Sequence, residues 1–307
     1  MIDMYVIAGI SKQALWKHRK RLQDQLQVTR DVVDMIEDVR INHKRMGCRR
    51  IYYTAKEPLP IGRDLFEQIG FANGFKLKLK RNVMRTTWSQ RVEVFSNLIE
   101  GMVLNDINQV WQSDIFYLKV EGADYYGVSI EDVYSRKLLA LHLSKSLTAE
   151  QNVKALKTAL KARKGSKVNG CIFHSDRGSQ YISDIHKTLL REVGMKISMC
   201  KMPQENAYVE RVQGTLKYEY FFEHTLTEAN LSRMIQKILR WYNEERPHSE
   251  LNMMMPTQFE KHVQTLVAKD RPEMKIYAGY TELLTKNEVA NKKKKSSKKR
   301  KSQHHHY

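Results

Sequence analysis

The sequence predicts an α/β fold in which a mixed sheet is covered by helices, and three observations carry that expectation. Between about Asn108 and Thr265, strand-like and helix-like runs follow the order strands, helix, strand, helix, strand, helix, which suits a sheet with helices packed on it. The apolar run Cys171-Ile172-Phe173 is short and unalternating, as a buried strand is. The 307 residues, 41% hydrophobic and 9% aromatic, have room for a sizeable core and for more than one domain.

Taken in order, the chain divides into four segments. Residues 1–30 resemble one helix of a helix-turn-helix: Gly9 suits a tight turn, Ser11 an N-cap, and Ala14, Leu15 and His18 recur at helical spacing beside a dense basic face. Lys12, Lys17 and Arg19 are its candidate DNA contacts, although a solvated surface helix has the same composition. Residues 31–105 read as a helical, basic region with an apolar stripe of Val32, Val33, Ile36, Val39 and Ile41. A basic knot follows at His43–Ile51, where Gly47 permits a sharp turn and Arg49 and Arg50 are placed to clamp a phosphate. Lys76, Lys78, Lys80, Arg81 and Arg85 form a second basic stretch, either an arm over DNA or a solvated loop.

Residues 106–265 form the regular part. Val110–Val120, Tyr125–Tyr134 and Leu138–Leu143 read as a three-stranded meander joined by short turns. Thr148 is positioned to cap a helix over Ala149–Arg163, whose Val153, Leu156 and Leu160 share a face. The strand ending in His174-Ser175-Asp176 comes next, then a helix over Ile182–Val193, a strand around Met195–Met199, a helix from about Glu205 to Phe221, and another over Glu228–Glu245 that Arg246-Pro247 ends. Residues 266–307 turn into a basic tail, Lys292–Lys301, expected to be flexible, with an incidental His304-His305-His306.

A formal charge of +19 points to a polyanionic partner, because clustered cations replace the counterions condensed along nucleic acid; a solvated basic surface is the plain alternative. Three scattered cysteines make neither a disulfide framework nor a zinc signature. No apolar run is long enough to span a membrane, and the expected location is the cytoplasm.

Three carboxylates stand out. Asp114 and Asp176 each end an apolar strand-like run, and Glu210 lies in a helical pattern with Asn206, Gln213 and Lys217 on one face at spacings of four, three and four. Three acids brought together repel, and a hard divalent cation such as Mg²⁺ is the natural way to keep them ionised and close. His174 reads as a core histidine, and Ser175 has no evident base partner.

Trp111-Gln112-Ser113-Asp114, His174-Ser175-Asp176-Arg177-Gly178-Ser179-Gln180-Tyr181, Gln204-Glu205-Asn206-Ala207-Tyr208-Val209-Glu210, and Tyr242-Asn243 with Arg246-Pro247-His248, Leu251 and Pro256 together resemble the catalytic reading frame of insertion-sequence transposases of the IS-three type. The resemblance covers most of residues 30–262, and Gly47–Ile51 resembles the family's region before the core. It implies a ribonuclease-H-like retroviral-integrase core, a DDE triad of Asp114, Asp176 and Glu210 that ligates two Mg²⁺ ions in such enzymes, with Mn²⁺ as a substitute, and contacts to DNA from Arg177, Gln180, Asn206 and Lys217. It also implies transposon-end and target DNA as partners, a homo-multimer on DNA, the bacterial cytosol as location, and an upstream-frame helix-turn-helix partner or fusion. Three positions depart from the pattern: Glu205 where Asp is commoner, Phe116 where Thr is usual, and Arg211-Val212-Gln213 in place of a Ser followed by aromatics. The activity implied is cleavage at transposon ends followed by strand transfer. A nuclease of the same fold and an idle DNA-binding descendant are the alternatives, and the intact triad argues against the second.

Overall fold

A computed structural model describes Gly9 and residues 11–77, 95–200 and 206–276. Lys78, Lys80, Arg81 and Arg85 of the second basic stretch, the expected helix start at Glu205, and the Lys292–Lys301 and His304–His306 runs lie outside the described residues. The chain forms two compact units. One draws on residues 1–87, 215–225 and 244–255, the other on 88–214, 226–243 and 256–307.

In the first unit, α1 (Lys12–Asn42) starts where Ser11 caps it, the Ser11 hydroxyl oxygen accepting the Ala14 N–H at 3.1 Å. This helix is continuous through position 30, where the sequence pattern placed a segment boundary. From Lys12 to Gln27 its residues are exposed apart from a half-buried Leu15. Only farther along does it acquire a packed face, where Val32 and Ile36 meet Met46, Cys48 and Ile51 around α2 (Cys48–Tyr52) and Phe66 of α3 (Arg63–Ala72). Ile41, expected in that stripe, is 68% exposed. Gly47 has an ordinary negative φ and serves as the N-cap position of α2 rather than as a left-handed turn. The polar interior of this unit is matched charge for charge. Glu219 accepts two bonds from Arg246, both 2.8 Å, and one from Arg50 at 3.3 Å, and the buried His43 ring lies between Tyr220 and Glu245.

The second unit is built on a five-stranded sheet in the order β4-β3-β2-β5-β6. β2 (Val110–Val120), β3 (Ala123–Asp132) and β4 (Lys137–Ser144) form the expected antiparallel meander, and β5 (Ile172–Ser175) and β6 (Lys196–Met199) add to β2 in parallel. Parallel neighbours need a crossover, and α4 (Ala149–Ala162) and α5 (Asp184–Glu192) supply the connections. Ala155, Leu156 and Ala159 of α4 join Trp111, Ile130, Leu139, Phe173 and Leu190 in one core. Thr148 occupies the N-cap position of α4, but its side chain makes no capping bond to the backbone. This is the mixed, helix-covered sheet that the order of strands and helices implied.

Helix α6 (Ala207–Thr215) carries Glu210, and its α-helical spacing ends before Lys217 because Leu216–Phe221 is wound as a π-helix. Helix α7 (Leu231–Arg240) likewise passes into a π turn, Trp241–Glu245. The sequence missed a small second sheet, in which β1 (Val103–Leu104) pairs with β7 (Met274–Lys275). The segment expected to be flexible from residue 266 is therefore ordered as far as Ile276, which is 3% exposed. Helix α8 (Pro256–Thr265) is held by a buried ion network in which Glu260 accepts bonds from Arg163 Nη1 (2.9 Å), Lys137 (2.8 Å) and the Ser135 hydroxyl (2.7 Å).

Phe116, one of the departures from the family pattern, has a structural counterpart. It stands opposite Gly127 in the β2–β3 register, and its ring covers the glycine. A Cβ on Gly127 would come within 2.2 Å of Phe116 Cζ. Aromatic cover of this kind compensates for the weak strand-forming tendency of glycine. Gly127→Ala is accordingly expected to lower the unfolding free energy by about 1–3 kcal/mol through overpacking. Urea denaturation checks this, and Phe116→Ala should cost less in the Gly127→Ala background than in the wild type, because the clash it relieves is then present.

Candidate active site

The site is set by strand register. Ser113 of β2 and Ser175 of β5 are partners in the parallel ladder, so Asp114 follows on β2 and Asp176 is the first residue beyond the end of β5. Partners in a ladder project to the same side and neighbours along a strand to opposite sides. Gln112, Asp114 and His174 therefore share one face, while Ser113 looks the other way, where its hydroxyl meets that of Tyr181 at 2.9 Å.

Asp114 accepts the Ile115 N–H at 2.9 Å and, on Oδ2, the side-chain amide of Gln213 at 2.8 Å. Asp176 closes a short turn by accepting the Gly178 N–H at 3.0 Å. Glu210, three residues before Gln213 on α6, is exposed. Burial pushes the Asp114 carboxyl up to about 7, and the negative charges of Asp176 and Glu210 push in the same direction. Asp176 and Glu210 are also raised, chiefly by burial. No cationic side chain figures among the influences on these three acids, in contrast to Glu219 and Glu260, which neighbouring arginines hold below the usual range.

As a donor set, three carboxylates suit a hard divalent ion. In this side-chain arrangement, among the described residues, no three His, Cys, Asp or Glu side chains are gathered closely enough to hold a metal.

A model of the integrase core domain family matches residues 105–203, and a second integrase core domain model matches residues 191–256. The transposase for insertion sequence element IS904 of Lactococcus lactis is 32% identical over 199 residues, covering 62% of this chain and 76% of the relative. The chain belongs to the insertion-sequence transposases. The IS600 31 kDa protein of Shigella sonnei is 28% identical, covering 75% of this chain and 88% of that one, and transposase InsF for IS3A of Escherichia coli is 29% identical, covering 61% and 66%. Among solved structures, the HTLV-2 integrase catalytic core domain in complex with magnesium is similar with a TM-score of 0.41 and 19% identity, covering 50% of this chain and 97% of that one.

The other residues singled out in the sequence are dispersed. Arg177 donates to the Cys200 carbonyl at 3.0 Å and Gln180 to that of Leu147 at 3.5 Å, both beside Asp176 in the chain. Asn206 is buried at the start of α6, its Oδ1 without a hydrogen-bond partner in the protein. Arg49 is paired with Glu67 at 2.9 Å and Arg50 with Glu219, so the basic knot is turned toward acids of its own unit. Lys12, Lys17 and Arg19 are on the exposed half of α1. His174 is fully buried, with Nδ1 at 2.8 Å from the Ser198 hydroxyl and a pKa pushed down to about 4 by burial, which keeps it neutral. The three cysteines are free and buried, and no described helix is long and apolar enough to cross a membrane.

Sequence reasoning passed over Gln112, whose Oε1 accepts the Val209 N–H of α6 at 3.3 Å, and Glu131. The available signal for Gln112 was the two-residue period of the strand, which places it on the face of Asp114. Glu131 pairs with Gln112 in register, is fully buried, and has no hydrogen-bond partner among the described residues on either carboxylate oxygen. Burial first, and then Asp132, push its carboxyl up to about 7 against the opposing pull of Arg136 and Arg211. A carboxyl raised in the folded state contributes stability that is complete below its unfolded value and is lost as pH rises toward 7. Thermal midpoints measured from pH 4 to 8 are expected to show that loss in the wild type, and Glu131→Gln should remove it and raise the midpoint at pH 8 by several degrees.

Proposed function

We propose that the chain catalyses metal-dependent DNA cleavage at transposon ends and joins the freed ends to target DNA, with Asp114, Asp176 and Glu210 as metal ligands. The observation that carries this reading is the strand register: Ser113 and Ser175 are partners, so Asp114 on β2 and Asp176, the residue after β5, follow at neighbouring positions, and the charge of Asp176 helps to raise the Asp114 carboxyl. Divalent ions held there, Mg²⁺ or Mn²⁺ and two in number, would supply a lowered pKa for the attacking oxygen and charge neutralisation for the leaving one.

The chemistry needs no covalent enzyme intermediate. In the first step a water oxygen bonds to the phosphorus at the transposon end, the phosphorus bond to the 3′ oxygen breaks, and a 3′ hydroxyl is released. In the second, that hydroxyl bonds to a target phosphorus as another phosphorus–oxygen bond breaks, so bonds are exchanged and no nucleotide cofactor is consumed. Asp114 and Asp176 provide oxygen ligands from rigid strands, and Glu210 completes the set from α6. His174 is neutral and buried against Ser198, which fits a supporting role beneath Asp176 rather than proton transfer.

DNA is held by other parts of the chain. Arg177, Gln180, Asn206 and Lys217 flank the triad in sequence and are assigned to the transposon end. The exposed half of α1 presents Lys12, Lys17 and Arg19 with no acid before Asp24, as a helix contacting phosphates does. Arg49 and Arg50 would reach phosphate only by exchanging it for Glu67 and Glu219.

A labelled terminal-repeat oligonucleotide incubated with the full chain and Mg²⁺ or Mn²⁺ tests the reading. Joined products are expected; cleavage alone would indicate a nuclease, and binding alone an idle descendant. Asp114→Asn, Asp176→Asn and Glu210→Gln should each lower both steps by a factor on the order of a hundred or more, and wild-type rates in any of them would refute the ligand assignment. In a separate salt titration of duplex binding, Lys12→Ala, Lys17→Ala and Arg19→Ala are each expected to flatten the slope of log K against log salt by about 0.9 per lost phosphate contact.

A further inference from the structure

Helix α6 touches β2 through two side-chain amides, and the contact is commensurate. Gln112 and Asp114 are two residues apart on one face of a strand, a separation of about 6.7 Å. Val209 and Gln213 are four residues apart on one face of a helix, a rise of about 6 Å. The pairs meet end to end, with the Val209 N–H on Gln112 Oε1 at 3.3 Å and Gln213 Nε2 on Asp114 Oδ2 at 2.8 Å. We propose that Gln112 and Gln213 are positioning residues, a two-point clamp that fixes the register and rotation of α6 along β2 and so decides where Glu210 stands relative to Asp114. This rests on the metal-ligand reading of the triad.

Three features support the clamp. Val209 is the third residue of α6, so its N–H is one of the donors that no intrahelical carbonyl can accept. Gln112, 0% exposed, takes that donor from the sheet side. With Val209, Val212 and Gln213 buried, Glu210 is turned about 100° from Val209 onto the exposed rim. A slip of one residue along α6 would rotate Glu210 by the same amount, and it would also pull Tyr208 from the Arg136 guanidinium, which lies 4.3 Å over its ring. Finally, both clamp residues are neutral amides. At 213 a lysine or arginine could donate to Asp114 but would cancel the negative potential that a divalent cation needs, and at 112 neither could accept the Val209 N–H; an amide serves both places and leaves the total charge unchanged.

The test uses the full chain with Gln112→Met and Gln213→Met, which keep side-chain length and remove the hydrogen bond. Strand transfer is measured with kcat and KM separated, Mg²⁺-dependent thermal stabilisation is measured without DNA, and exchange of the Val209 amide hydrogen is followed. Each variant is expected to lose about tenfold to a hundredfold in kcat, as misplacement by an ångström does, with KM for the oligonucleotide unchanged. The Mg²⁺ concentration at half stabilisation should rise several-fold, and Gln112→Met should in addition expose the Val209 amide to exchange. Gln213→Asn, which keeps the donor on a shorter arm, should lose less than Gln213→Met, and it supplies the measurement if the methionine variant does not fold. Wild-type kcat and Mg²⁺ response in folded variants would overturn the clamp. If the wild-type chain itself neither joins DNA nor responds to Mg²⁺, the triad reading fails instead. The Val209 amide then judges the contact by itself: unchanged protection in Gln112→Met overturns it.

Discussion

Like charge held at close range in a partly dry place is the constraint on which the rest of this structure depends. Asp114 and Asp176 are brought side by side by a parallel pairing only four residues long, Val110–Ser113 with Ile172–Ser175. Each carboxylate would gain from separation, since burial and mutual repulsion both favour the neutral form. The separation is prevented by the strand ladder, by the core of Trp111, Phe173, Leu190 and Met199 packed about it, and by the Ser113–Tyr181 bond on the opposite face. Backbone pairing and apolar burial thus hold in place a charge arrangement that they oppose electrostatically.

The treatment of acids elsewhere sharpens the point. Glu219 is met by Arg246 and Arg50, and Glu260 by Arg163 and Lys137, so these two buried charges are paired and hydrogen-bonded, as burial of an ion requires, whereas the unpaired Glu131 is raised toward neutrality. A chain with 53 lysines and arginines against 34 acids does not lack cations to place near the triad. The side chain that meets Asp114 is instead an amide, Gln213, at 2.8 Å, and Gln112 on the same face of β2 is an amide as well.

The departures from the family pattern divide in an instructive way. Phe116 is compensated across the sheet by Gly127, a local exchange of one side chain for another at the same rung. Gln213, which falls where the family has an aromatic stretch, is drawn into the site as a donor to Asp114. Both substitutions are neutral in charge, so neither disturbs the electrostatic condition at the triad.

The sequence by itself determined the sheet and singled out Asp114, Asp176 and Glu210 as candidates. Apolar strands of fixed period, short turns and the spacing of Asp114, Asp176 and Glu210 are local properties, and the meander, the two crossovers and the neutral, buried His174 followed from them. Segment edges were less legible: the break near residue 30 lies within a continuous α1, and the β1–β7 pair joins residues about 170 apart in the chain. A two-residue strand has no periodicity to read. The partners of charged residues were not legible either. Arg49 and Arg50 look like phosphate clamps until Glu67 and Glu219 are seen beside them, because a sequence records charge but not which acid folds back to meet it. Only the tertiary structure decided the register of α6 on β2. Helical period gives the face on which Glu210 lies, but its height above Asp114 depends on hydrogen bonds made across roughly 97 to 99 residues of chain, and a contact at that separation leaves no trace in local pattern.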